Sequence, residues 1–197
     1  EIFAECVDKN QLKITSTKGI NMLKRLPSPF PLTPARLGSV SPRGWLLCEF
    51  TVQKNGLTGH IDEIWEDLGK QSGWLGGAGE NWERGPYYLD GLIPLAYALD
   101  DDALKAKAQP WIDWMLASQR ADGFFGPHDN LDWWPRMVAL KVLTQYAEAT
   151  DDPRVIPFLD RYFRYQLKTM PAFPLSMWAA ARGQEQLLPM LWLYRKT

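Results

Sequence analysis

A short stretch of this chain is written twice. Pro110-Trp111-Ile112-Asp113 returns as Pro157-Phe158-Leu159-Asp160, and Gln119 returns as Gln166, each 47 residues on. An Asp-Asp turn stands before each copy, at Asp101-Asp102 and Asp151-Asp152. A period near this length holds two helices, and one such unit cannot bury its apolar faces alone. Stacked helical hairpins meet that demand, either as an open solenoid or as a closed toroid, the (α/α)6 barrel. Solenoids have short connections and a strong consensus. Here the segments before Trp82 and Pro135 are long and rich in Trp, Asp, Glu, Gly and His. Such loops at one end of a helical scaffold favour the toroid, with a pocket at its rim.

Apolar spacing predicts helices over 87–99, 103–119, 135–149, 153–168 and 184–194, the last with Leu187, Leu188, Leu191 and Trp192 as its apolar positions. An earlier helix is expected to open with Ser41 as N-cap and Pro42 at its first position, and to end at Asn55-Gly56. Its expected buried residues are Trp45, Leu46, Phe50 and Val52. A second helix is expected over 58–68. Turn signals separate the later helices, at Asp100-Asp101-Asp102, Asp122-Gly123 and Asp151-Asp152-Pro153, and no strand is expected. Residues 1–30 read as an extended or irregular lead-in with a basic tilt, because prolines 27, 29, 31 and 34 favour extended geometry. The domain proper is 31–197.

Composition removes several classes. The chain is 46% hydrophobic and 23% charged with a net charge of -1, which is globular and near neutral. That balance offers no electrostatic reason for a nucleic-acid or membrane-surface partner. No apolar run reaches the length of a membrane span. Cys6 and Cys48 lack metal or redox spacing, and a disulfide or a reduced pair both remain open. The first residues lack a signal-peptide pattern, which leaves secretion and a cytoplasmic location equally open. The chain begins at Glu1 and stops at Thr197 just after an apolar stretch, and it reads as a fragment.

The chain holds 10 Trp, and three clusters of chemistry-bearing residues contain several of them. The first, residues 80–88, gathers Glu80, Trp82, Glu83, Arg84 and two tyrosines at a helix start, with Asp90 one turn on. Carboxylates and Arg hydrogen-bond sugar hydroxyls, while aromatic rings cover the sugar's C–H face. The second, residues 128–136, holds His128, Asp132, Trp133, Trp134 and Arg136; Asp132 suits an N-cap. The third, residues 176–183, holds Trp178 and Arg182. Each precedes the expected first helix of a hairpin, and in a toroid such loops converge on one rim. Glycoside hydrolysis uses paired carboxylates, for which Glu80, Glu83, Asp90 and Asp132 are candidates. The substrate-binding set is therefore Trp82, Glu83, Arg84, Asp90, Asp132, Trp133, Arg136 and Trp178. The glycine-rich loop 73–79 lacks the Lys-Ser/Thr of a phosphate loop and suits a pocket mouth or a surface turn. His60 and His128 lack metal spacing and read as surface or loop residues.

Five segments together resemble a known group: Gly-Trp-Leu-Leu at 44–47, Gly-Leu-Thr-Gly-His at 56–60, Gly-Glu-Asn-Trp-Glu-Arg-Gly-Pro-Tyr-Tyr-Leu-Asp-Gly at 79–91, Gln-Arg-Ala-Asp-Gly-Phe-Phe-Gly-Pro at 119–127 and Asp-Trp-Trp-Pro-Arg-Met at 132–137. The group is related to the β-L-arabinofuranosidases of glycoside hydrolase family 127, and the likeness spans residues 31–197. It implies an (α/α)6 catalytic barrel followed by β-sandwich domains. It also implies that the acid/base Glu and a zinc-bound cysteine nucleophile lie in the second half of that barrel, beyond residue 197. Cys6 and Cys48 do not match those cysteines. A His of the family begins the helix that here starts near Asp132, where this sequence has Asp132-Trp133.

The expectation is thus an all-α chain forming about half of an (α/α)6 ring. It is the N-terminal part of a glycoside hydrolase acting on a plant or microbial glycan, inactive by itself. The rival readings are a helical-repeat scaffold that binds protein, and a terpene-cyclase-like toroid. For the latter, Asp100-Asp101-Asp102 reads better as a cap than as a catalytic signature.

Overall fold

The computed structural model describes residues 35–197. The lead-in expected over 1–30, its prolines and Cys6 fall outside them. Among the described residues the chain is helical and carries no strand. Its α-helices are α1 (Gly44–Asn55), α2 (Leu57–Ile64), α3 (Arg84–Ala98), α4 (Asp102–Ala117), α5 (Trp133–Thr150), α6 (Val155–Thr169), α7 (Met177–Ala181) and α8 (Leu187–Lys196). Short 3-10 turns lie at Glu66–Leu68, Gly73–Leu75 and Gly183–Gln186. The bounds follow apolar spacing to within a few residues. The five-residue α7 has no counterpart among the expected helices.

Helix α5 is the centre of the molecule. Every residue from Trp133 to Leu140 is buried, so its whole first half is enclosed rather than amphipathic. It packs on α3, α6, α7, α8 and the 183–186 turn, and its interface with α3 is the largest. Helix α4 packs on α3, and α6 on α5. The first helices of two hairpins thus lie against each other, and each carries its own second helix. The sequence echo marks this arrangement. Trp111, Ile112, Phe158 and Leu159 are all buried. Gln119 Nε2 donates to the Phe158 carbonyl at 2.9 Å, which ties one hairpin to the next. Its counterpart Gln166 reaches onward to Gln186, each amide donating to the other at 2.8 and 2.6 Å.

The acidic turns between hairpins share one geometry. Asp100 and Asp151 both have positive φ, +52° and +55°. Asp residues tolerate this left-handed region because their short side chains bond locally. The next residue in each case turns its carboxylate onto the backbone: Asp101 caps α4, its Oδ1 accepting from Leu104 N at 3.0 Å, and Asp152 Oδ1 accepts from Arg154 N at 2.9 Å just ahead of α6. Gly123 turns the chain after α4 at φ +100°, where a Cβ would lie 2.3 Å from the Arg161 carbonyl oxygen. Only glycine fits, and Phe124 and Phe125 then tuck into the core.

Two expectations fail. Helix α1 starts at Gly44, not Pro42, and Arg43 stands at its N-cap position without a side-chain cap, so Ser41 does not cap it. None of its residues is buried: Trp45 is 77% exposed, Leu46 and Val52 are exposed, and Phe50 is half-buried. The reason is that α1 packs chiefly on α2, a corner of two helices that leaves its other face without a neighbour. In α8, Pro189 and Leu193 face the core, while Leu187, Leu188 and Leu191 are exposed. The exposed leucines form a stripe with Tyr194 on the side away from α5.

Candidate functional site

The three residue clusters meet. The loop before α3 and the loop before α5 are laced by side-chain bonds. Asn81 Nδ2 donates to Asp129 Oδ2 at 2.8 Å, and Asn130 Nδ2 donates to the Asn81 carbonyl at 2.9 Å. Trp82 Nε1 donates to Asp132 Oδ2 at 2.8 Å, and Trp134 Nε1 donates to Glu83 Oε2. Two of the four candidate carboxylates, Glu83 and Asp132, are thus each held by an indole from the neighbouring loop. The third cluster closes on the same place: Arg182 donates to the Tyr87 hydroxyl at 3.1 Å and lies over the rings of Trp134 and Trp178.

Local chemistry fixes these positions. Asp132 caps α5, its Oδ1 accepting from Trp134 N at 3.0 Å, which stabilises the helix by about 1 kcal/mol. Its other oxygen is what Trp82 binds. The glycine-rich loop props Trp82 from behind: Trp74 is fully buried and its Nε1 donates to the Trp82 carbonyl at 2.7 Å. Gly76 permits this, since at φ +82° a Cβ would meet the Trp114 ring at 2.5 Å. The loop is therefore a buttress.

Glu80 serves the start of α3. Its Oε1 accepts from the backbone N–H of Trp82 at 3.0 Å and of Arg84 at 3.5 Å, donors that the helix start leaves open. Its Oε2 is buried and has no partner among the described residues. Burial pushes the Glu80 carboxyl above its ordinary range; the two backbone bonds and Arg84 pull the other way, and Asp67 adds to the rise.

The eight predicted binding residues divide. Trp82 and Glu83 are half-buried and Trp178 is exposed, all within the converged cluster. Asp132 joins them but is shared between a helix cap and an indole. Arg84 is exposed, pairs with Asp67 and lies 5.0 Å over the Trp65 ring. Asp90 is engaged deeper, by Lys141 Nζ at 2.9 Å and Gln145 Nε2 at 3.0 Å, and links α3 to α5. Trp133 and Arg136 are enclosed and offer no surface to a ligand. Trp133 Nε1 donates to the Phe173 carbonyl at 3.1 Å. Arg136 donates to the carbonyls of Phe125, Pro127, Asn130 and Asp132, at 2.6 to 2.9 Å, and stacks on Phe124. Burial pulls its pKa down to about 10. It is an internal strut of the 125–132 loop.

A cleft of about 380 Å³ opens between α2 and the start of α3. Leu57, Ile61, Trp65 and Leu68 form its apolar wall, with Glu83, Arg84 and Tyr87 at the side facing the cluster. Lys107 Nζ braces the wall by reaching Gly59 O at 2.6 Å, Asp62 at 2.8 Å and Glu63 at 2.9 Å. The Tyr88 hydroxyl donates to Asp62 at 3.1 Å, and burial first, then Asp62, pushes its pKa up. The sequence reading missed this cleft and undervalued Tyr87, Trp134 and Arg182. The one available signal was the four-residue step from Trp178 to Arg182, which suits neighbours on a helical turn.

His60 and His128 are exposed; His60 meets Glu63 at 3.0 Å, and His128 approaches the Ser118 carbonyl at 3.4 Å. Cys48 is exposed on α1. Among the described residues no three His, Cys, Asp or Glu side chains come together as a metal site would need. No described helix is long and apolar enough to cross a membrane. No protein-family model, curated protein or solved structure matches the chain.

Proposed function

We propose that this chain forms the sugar-binding rim of part of an (α/α)6-toroid glycoside hydrolase, acting on a plant or microbial glycan and resembling the β-L-arabinofuranosidase group. One observation carries the reading. Three loops, far apart in sequence, converge so that Glu83 and Asp132 each lie against a tryptophan of the neighbouring loop, beside exposed Trp178 and Tyr87. Carboxylates for hydroxyls and rings for C–H faces are what a pyranose or furanose site needs. The hairpin pairing, α3 on α5 with α4 and α6 attached to each, is compatible with about half of a twelve-helix ring. In this reading the chain's own residues bind and orient sugar, and the bond-breaking pair comes from the other half.

The test is a panel of synthetic glycosides, including β-L-arabinofuranoside, assayed with a chain carrying the remainder of the barrel and with residues 1–197 beside it. Turnover by the longer chain, none by 1–197, and loss of turnover in Trp82→Ala and Glu83→Gln support the reading. A folded longer chain that turns over no glycoside and binds no oligosaccharide refutes it. The exposed leucine stripe of α8 favours a second reading, a helical scaffold that docks protein. Retention of a protein on the α8 face in the absence of any sugar affinity selects that one.

A further inference from the structure

The convergence point holds a cation with no anion. Arg182 forms no ion pair among the described residues; its one side-chain hydrogen bond goes to a neutral hydroxyl. Its environment is aromatic: the guanidinium carbon lies 4.8 Å from the Trp178 ring centre and 5.3 Å from that of Trp134. One donor is used, by the Tyr87 hydroxyl at 3.1 Å, and a guanidinium has several more. Trp178, Tyr87 and Arg182 are exposed, while Trp134 is buried beneath. Trp134 is shared: Glu83 holds its ring N–H and Arg182 covers its face.

These parts come from three helix starts, so the charge is held in place by tertiary structure. Contact with two rings and the tyrosine bond restrain the guanidinium, which reduces the entropy lost when it binds a partner. A planar, pre-positioned guanidinium matches a carboxylate through two parallel hydrogen bonds. The exposed Trp178 face beside it matches the C–H face of a sugar ring. Tyr87 joins this point to the cleft between α2 and α3, which it also lines.

We infer that Arg182, Trp178 and Tyr87 form a subsite for a carboxylated sugar, a hexuronate unit within the glycan. The inference rests on the glycan-binding reading above and adds the chemical class of the unit bound. Arg182 takes the carboxylate, Trp178 takes the ring face, and neighbouring sugars lie along the cleft past Tyr87.

The test measures binding by the whole 197-residue chain, read by calorimetry and by tryptophan fluorescence. The probes are galacturonate and glucuronate trisaccharides, their methyl esters, a neutral galactose trisaccharide, and a glutamate peptide of matching charge. At low salt at least one acidic trisaccharide binds roughly two- to fivefold more tightly than its ester, the span expected for an exposed charge-assisted pair. The preference shrinks as salt rises, because the site is exposed. Arg182→Gln abolishes the preference, Arg182→Lys keeps part of it, and Trp178→Ala weakens acid and ester alike. Circular dichroism confirms that each variant is folded. Equal affinity for acid and ester overturns the inference and leaves the glycan reading standing. A preference that survives Arg182→Gln, or equal affinity for the glutamate peptide, also overturns it. Binding of no sugar, acidic or neutral, overturns both.

Discussion

Replacing Arg136 by methionine tests whether one buried cation holds the site loop. The side chain is fully enclosed and has no carboxylate partner among the described residues; its donors end on four carbonyls. Methionine keeps the length and removes every donor. The Asp132 carbonyl, at the N-cap, still has the helix's first backbone bond. The Pro127 carbonyl keeps a long bond from Asn130 N at 3.4 Å. The carbonyls of Phe125 and Asn130 lose the Arg136 donor, at about 1–3 kcal/mol each. Lost stacking on Phe124, 4.0 Å from the guanidinium carbon, adds about 1 kcal/mol. Against this, the charge no longer has to be buried. The lowered pKa, set first by burial, gives the direction of that relief, which offsets part of the loss. The balance is a net loss of about 2–3 kcal/mol within a wider span, because solvent partly reaches the freed loop. For a domain of this size that lowers the melting temperature by roughly 5–10 °C. Thermal unfolding followed by far-ultraviolet circular dichroism reads the shift. Tryptophan fluorescence reports whether Trp82 and Trp134 lose their seats. Arg136→Lys should fall between, since an ammonium reaches fewer carbonyls. A methionine variant melting within about 2 °C of the parent would show that the guanidinium is no strut.

Other consequences follow from single contacts. Because the folded-state pKa of Glu80 is raised, its proton stabilises the fold below the unfolded value near 4.5, and that contribution is lost as pH rises through the folded value. Glu80→Gln should therefore gain stability relative to the parent between pH 4 and pH 7; equal effects at both pH values in urea titrations would contradict this. Gly126→Ala combines φ +83° with a Cβ 2.8 Å from the Trp74 ring, and should cost about 2–4 kcal/mol in denaturant titrations. Asp90 and Lys141 are mostly buried partners at 2.9 Å, so a double-mutant cycle with Asp90→Ala and Lys141→Met should return a coupling of about 1–2 kcal/mol. Zero coupling would show that the ion pair does not tie α3 to α5 and would leave Gln145 as the structural partner of Asp90.

Much of the architecture was legible because it depends on local rules. The period in the sequence, the Asp-Asp turns, the Asp-Gly turn at Gly123 and the cap at Asp132 all act within a few residues of themselves. The convergence of three residue clusters followed once each was placed before a helix of a hairpin. Local pattern failed where burial depends on a neighbour. Trp45 and Val52 have the composition of a core face, yet no element covers that side of α1. Leu187, Leu188 and Leu191 are exposed on α8 for the same reason.

The sequence by itself determined that this chain is helical, where its hairpins turn, and which segments carry its chemistry, since periodicity and capping are properties of neighbouring residues. Only the tertiary structure decided what each of two like side chains does. Arg136 and Arg182 both stand among tryptophans, near a helix start. Packing of α5 at the centre closes carbonyls around the first, and the meeting of three loops leaves the second exposed on a bed of rings. A guanidinium's role depends on which groups surround it, and those groups come from elements far away in the chain.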